Sequence, residues 1–187
     1  MILRILMLFI ATAVLVSCES GEDELLKNPV QIDNYFPLSQ FIDRQIGLLD
    51  GRKIGKEINI NGEKQHLEQV LNVQDWREEF DWLIQSDINK ASLAQSYHTE
   101  EQGNRIAHTL KSGEQGTLQQ MEILYEGDQV KEINIISSRK NTFYQSKAIG
   151  RLTVSGDGLI DFYSLESIQK VWFLEPNNLI VNSRVHD

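Results

Sequence analysis

Cysteine is almost missing: the chain of 187 residues has one, Cys18. A single thiol excludes an intramolecular disulfide framework and a four-cysteine zinc site. Proline is scarce at three residues. Together with twelve glycines that show no repeat, this excludes collagen-like and proline-rich polymers. Positive charge is in deficit, with 18 Lys and Arg against 27 Asp and Glu and a formal net charge of −9. Phosphate binding needs clustered cations, so nucleic acid is not an expected partner. Long apolar runs are lacking too. The one extended run, Ile5 to Val16, covers twelve residues, whereas a helix that crosses a bilayer needs roughly 20. What remains, 41 % hydrophobic and 24 % charged residues, is too apolar for a wholly disordered chain and fits one globular domain.

The first residues form a pattern of their own. Arg4 supplies one positive charge, the apolar run follows, and small residues follow the run. That is the layout of a secretory signal. The run ends in Leu15-Val16-Ser17-Cys18, which resembles the lipobox of bacterial lipoproteins. The resemblance covers about a tenth of the chain. It implies cleavage before Cys18 and acylation of the Cys18 thiol (palmitate or a similar chain) and of the new amine. Residues 1–17 are then a signal peptide, and residues 18–34 a lipidated tether. Several acyl chains hold a protein stably at a bilayer, at ~0.8 kcal/mol per buried methylene. The stretch Glu19-Ser-Gly-Glu-Asp-Glu24 is acidic with little to bury. It reads as a solvated tether, and it also resembles the acidic export tag of some surface lipoproteins. Inner-membrane retention goes with an aspartate after the cysteine, and Glu19 stands there instead. The expected location is the cell envelope, at the outer membrane.

Residues 35–187 are expected to form one α+β domain: two helices packed on a mainly antiparallel, twisted sheet of six to eight strands. Pro37 suits the start of a first helix, in which Leu38, Phe41, Ile42, Ile46 and Leu49 follow helical spacing. Gly51 stands where a left-handed cap is wanted. Asn61-Gly62 between Lys53–Ile60 and Glu63–Leu71 is a strong hairpin signal, and the polar second run marks an edge. Asp75 with Glu78 predicts the capping box of a second helix that ends near Ser86. Residues 87–101 read as loop, with a possible helical turn at 92–97. Strand candidates follow at 104–111, 117–126, 130–138, 142–147, 149–154, 159–164, 168–174 and 179–185. A three-residue loop at Gly127–Gln129 places Ile123 across from Ile133 and Met121 across from Ile135. One at Gly156–Gly158 places Val154 across from Ile160 and Leu152 across from Phe162. Whether the sheet stays open, curls into a half-barrel or closes is left open.

Chemistry-bearing motifs are few. His66, His98, His108 and His186 lack metal-ligand spacing, and His98 with Glu100, Glu101 and His108 is the one loose cluster. No Gly-x-Ser-x-Gly elbow occurs. Glu78-Glu79 and Glu100-Glu101 are adjacent in sequence; the first pair falls on a helix, where neighbouring side chains diverge. Ser155-Gly-Asp-Gly158 lies between strands and reads as a turn rather than a phosphate cradle or a calcium loop at Asp157. Aromatics stand out more. In Phe143-Tyr144 and Phe162-Tyr163 the strand period sends the two rings to opposite faces, so one of each pair leaves the core. Trp76, Trp82, Tyr97, Trp172 and Phe173 fall in the same expected elements.

The reading is a membrane-anchored lipoprotein, similar to small outer-membrane lipoproteins, that acts as a non-catalytic interaction or structural module. Its expected partners are the membrane, through the lipid, and an envelope protein or an apolar ligand. No cofactor, metal or catalytic residue is assigned. The alternative is a carrier or sensor. In size and element order alone the domain resembles the open half-barrels that carry lipoproteins across the periplasm. That alternative expects a cavity lined by Ile123, Ile133, Leu152 and Phe162.

Overall fold

The structure, a computed structural model, describes residues 33–186. Cys18, the signal segment and residues 18–32 of the tether lie outside the described residues.

Among the described residues nine antiparallel strands form one sheet: β1 (Lys53–Ile60), β2 (Glu63–Val70), β3 (Tyr97–Gln102), β4 (Arg105–Leu110), β5 (Leu118–Glu126), β6 (Gln129–Lys140), β7 (Tyr144–Val154), β8 (Ile160–Val171) and β9 (Asn177–His186). Their order is β2-β1-β9-β8-β7-β6-β5-β4-β3. β2 and β3 are unpaired edges, so the sheet is open. Both edges are charged and exposed, which discourages pairing with another chain. Helices α1 (Leu38–Leu48), α2 (Val73–Glu79) and α3 (Asp81–Gln85) and a 3₁₀ turn (Ala91–Leu93) complete the domain. The α+β class holds, with one strand more than the six to eight expected and, among the described residues, three helices in place of two.

The differences have physical causes. β3 is an edge strand with one buried residue, Tyr97, so its sequence lacks the alternation that marks a half-buried strand. The candidates 142–147 and 149–154 join into β7. Those at 159–164 and 168–174 join into β8, which ends at Val171. The second helix breaks at Phe80 into α2 and α3, and across the break Trp82 lies over Gly150 of β7. Its capping box also sits one turn earlier than expected. Asn72 caps, accepting from the backbone N–H of Gln74 (2.8 Å) and Asp75 (3.1 Å), while Asp75 accepts from Asn72 N–H. Asn is as good an N-cap as Asp, and the reciprocal pair is Asn72-x-x-Asp75.

Three of the four expected cross-strand pairs occur. Ile123 faces Ile133 and Met121 faces Ile135. The turn there is Gly127-Asp128, one residue shorter than expected, and a bulge that leaves Lys131 unpaired restores the register. Val154 faces Ile160, but Leu152 faces Tyr163 instead of Phe162. A bulge leaves Asp161 unpaired, with its carboxylate accepting from Thr153 Oγ1 at 2.6 Å. One extra residue flips every side chain after it. Tyr163 therefore turns to the helices, and Phe162 turns to the other face, under the Arg184 guanidinium at 5.9 Å.

The core lies between the helices and one face of the sheet. Ile42, Ile46, Trp76, Phe80 and Leu83 from the helices meet Ile123, Ile133, Leu152 and Tyr163, all with little or no solvent contact. Asn61 and Gly62 both have positive φ, as a two-residue hairpin requires. Pro37 stands at the N-cap of α1. Asp87 closes that end by accepting from Ser39 N–H at 2.7 Å. At the other end of α1 the Gln45 amide donates to Gly158 O (2.8 Å) and accepts from Ile160 N–H (3.0 Å). This pins α1 to the β7–β8 turn.

Candidate functional site

Four features bear on function: a polar row under the helices, a cleft, a histidine in the core, and an apolar end of the sheet.

The polar row follows from register. Lys56 of β1 faces Ser183 of β9, and Ser183 faces Tyr163 of β8. Glu79 of α2 stands over them, taking the Lys56 ammonium and the Tyr163 hydroxyl on its two carboxylate oxygens. Burial, then the charge and hydrogen bond of Glu79, raise the Tyr163 phenol well above the ordinary tyrosine range. A serine beside a lysine is a possible nucleophile and base. Here the lysine is engaged by Glu79, and Ser183 is 1 % exposed. The row braces α2 against the sheet and offers a substrate no access.

The cleft, of about 500 Å³, lies between the segment 82–93 and the ends of β5 and β6, with Trp82, Asp87, Tyr97 and Arg139 in its wall. Its reactive-looking groups are engaged. Asp87 accepts from Ser39 and Asn89 N–H. Tyr97 donates to Leu118 O at 2.8 Å, and burial followed by its neighbour Tyr35 pushes its pKa up to about 12. Ser86 donates to Trp82 O at 2.7 Å. Among the described residues no hydroxyl of the cleft wall is bonded to a carboxylate or an imidazole.

The loose cluster expected around His98 is separated by the strand period. His98 and Glu100 are exposed on β3. His108 is buried, its Nε2 accepting from Phe36 N–H at 3.2 Å and its Nδ1 lying 2.9 Å from Thr99 Oγ1. That bonding assigns the proton to Nδ1, and burial lowers the His108 pKa. His66 is exposed on β2, and His186 lies against Gly55. Among the described residues no group of three or more His, Cys, Asp or Glu is placed to hold a metal. Asp157 accepts from Ser155 Oγ and Leu159 N–H within its turn.

The positions expected to line a carrier cavity are occupied otherwise. Ile123, Ile133 and Leu152 are packed under the helices, and Phe162 is on the opposite face. The protein's own side chains fill that space and leave no room for cargo there.

The apolar end is the feature that the sequence located least well. β1, β6 and β8 finish at this end of the sheet, and β7 and β9 start there. Phe143, Trp172, Phe173 and Leu174 are 63 %, 67 %, 66 % and 57 % exposed. Ile60, Ile149, Ile168 and Ile180 on the adjoining strands are exposed too. The expected strand 168–174 put Trp172 and Phe173 inside the sheet. The strand stops at Val171, and both rings stand in the β8–β9 turn. The backbone that carries them is fixed. Asn141 Oδ1 accepts from Phe143 and Tyr144 N–H at 2.9 and 2.8 Å. Trp172 N–H donates to Phe143 O and Leu174 N–H to Val171 O, each at 3.0 Å. The Trp172 and Phe173 rings meet edge to face with centroids 5.6 Å apart.

No protein-family model, curated protein or solved structure matches the chain. Among the described residues no helix is long and apolar enough to cross a membrane.

Proposed function

We propose that this chain is a lipid-anchored lipoprotein of the bacterial cell envelope, held through Cys18, whose domain is a non-catalytic interaction module. The lipobox pattern supports the anchor. The observation that carries the module is the distribution of exposed apolar side chains. Phe143, Trp172, Phe173 and Leu174 stand together at one end of the sheet, with Ile149, Ile168 and Ile180 exposed on the strands that lead to it; Leu48, Val70 and Val73 are exposed elsewhere, without an aromatic ring among them, while Lys56 and Tyr163 are engaged by Glu79. A contiguous exposed apolar patch marks a contact surface.

The test is site-specific thiol labelling in intact envelopes. Acylation of Cys18 leaves an introduced cysteine as the one reactive thiol. Ile168→Cys, at the apolar end, should label slowly in membranes and readily in detergent. Asp157→Cys, at the opposite end, should label equally in both. Equal labelling of Ile168→Cys in the two conditions removes the contact surface.

A further inference from the structure

We infer that the apolar end seats on an anionic bilayer surface, with Phe143, Trp172, Phe173 and Leu174 at the headgroup level. The inference rests on the reading of this end as the contact surface and names its partner. Three observations favour lipid over a protein groove.

The first is local charge. The chain carries a net charge of −9, yet residues 139–147 and 168–176 hold Arg139, Lys140, Lys147 and Lys170 against the single acid Glu175. Lys140 faces Gln145, which faces Lys170, so the two lysines share one row and one face; Lys147 lies two residues from Gln145 on that same face. None of these three lysines has a carboxylate of a described residue within ion-pair distance. Basic residues beside an anionic membrane are each attractive within a Debye length. The rest of the acidic domain is repelled, so this end is the one that the field turns toward the lipid.

The second is side-chain type. Tryptophan and phenylalanine on a rigid turn, flanked by lysines, are the composition that settles at a membrane–water interface. A hollow of about 240 Å³ between Phe143 and Trp172, with Lys170 in its wall, leaves room for a headgroup beside the rings.

The third is where the chain enters. Asn34 donates to Ala94 O at 3.0 Å, and Tyr35 donates to Leu93 O and Ala94 O, next to Tyr97 at the start of β3. In an all-antiparallel sheet the start of β3 and the end of β8 lie at the same end. The chain thus enters the domain at the same strand end as the aromatic turn, five strands along the sheet from it.

Full-length protein extracted from membranes is reconstituted into vesicles of phosphatidylethanolamine and phosphatidylglycerol brominated along the acyl chains. Tryptophan emission is then read. Trp76 is fully buried and Trp82 is half-buried in the cleft wall, so the difference between wild type and Trp172→Phe is what reports Trp172. The expected result is a quenched, blue-shifted emission in the wild type, with most of the quenching lost in Trp172→Phe. It should also weaken in Lys140→Gln/Lys170→Gln and in vesicles without phosphatidylglycerol. Unquenched wild-type emission, or quenching that survives Trp172→Phe, overturns the inference. Emission that shifts only when envelope proteins are added overturns it in favour of a protein partner. The mass of the same sample reports acylation separately. Quenching by a chain without acyl groups removes the lipid anchor and keeps the membrane-seated turn. An acylated chain without quenching removes the turn alone.

Discussion

Of the described glycines, Gly150 has the least room for a side chain, and Gly150→Ala tests that close approach. A Cβ built there lies 2.3 Å from Cζ3 and 2.4 Å from Cη2 of Trp82. Carbon pairs settle at about 3.5–4.0 Å, so the indole must retreat by about an ångström or more. Trp82 belongs to a five-residue helix whose next residue, Leu83, is fully buried. Retreat therefore drags a core contact with it. Overpacking of this kind costs about 1–3 kcal/mol. For a domain of this size each kcal/mol lowers the melting temperature by about 2–4 °C. Urea unfolding of wild type, Gly150→Ala, Trp82→Leu and the double variant forms a cycle. The loss caused by Gly150→Ala should shrink by about 1 kcal/mol or more when the indole is gone. An equal loss in both backgrounds would refute the close approach of α3 to β7.

Two further perturbations follow from the polar groups under the helices. Tyr163→Phe leaves the Glu79 carboxylate without its hydroxyl donor, and a hydrogen bond to a charged group is worth about 1.5–3 kcal/mol; a shift in the urea midpoint of that size is expected, and an unchanged midpoint contradicts the bond. Burial lowers the His108 pKa below the ordinary histidine value of about 6.5, so the unfolded chain binds the proton more tightly than the folded one. The stability that this contributes is complete above pH 6.5 and is lost as the pH falls from there through the folded value. Between pH 7.5 and 5.5 the wild type should lose more stability than His108→Gln, whose side chain does not titrate; parallel losses contradict a buried neutral imidazole.

How much of this was legible in the chain depended on how local the cause was. The pairs Ile123–Ile133 and Met121–Ile135 could be read because apolar and polar residues alternate on both sides of one short turn. The same logic failed at Leu152–Phe162. Its outcome depends on whether Asp161 bulges, and the bulge is held by a bond to Thr153 on the neighbouring strand. The partner of β1 is β9, more than a hundred residues away, and no local pattern announces that pairing. β3 was missed because an exposed edge has no buried face to repeat. Trp172, Phe173 and Leu174 were misplaced for the opposite reason: a run of apolar residues reads as a buried strand, and only the stop at Val171 and the Trp172–Phe143 backbone bond show a turn that presents them to solvent. The Lys56–Ser183–Tyr163 row was out of reach, because it draws on three strands and a helix that are remote from one another in sequence.

The proposed location of the protein depends on the anchor at Cys18, and the intact mass of the chain extracted from membranes tests it most directly. The account predicts a chain that begins at Cys18 and carries acyl groups on the thiol and the amine, and a Cys18→Ala variant that is neither cut there nor acylated. A membrane-extracted wild-type chain that keeps residues 1–17, or that begins elsewhere with Cys18 as a free thiol, would contradict it.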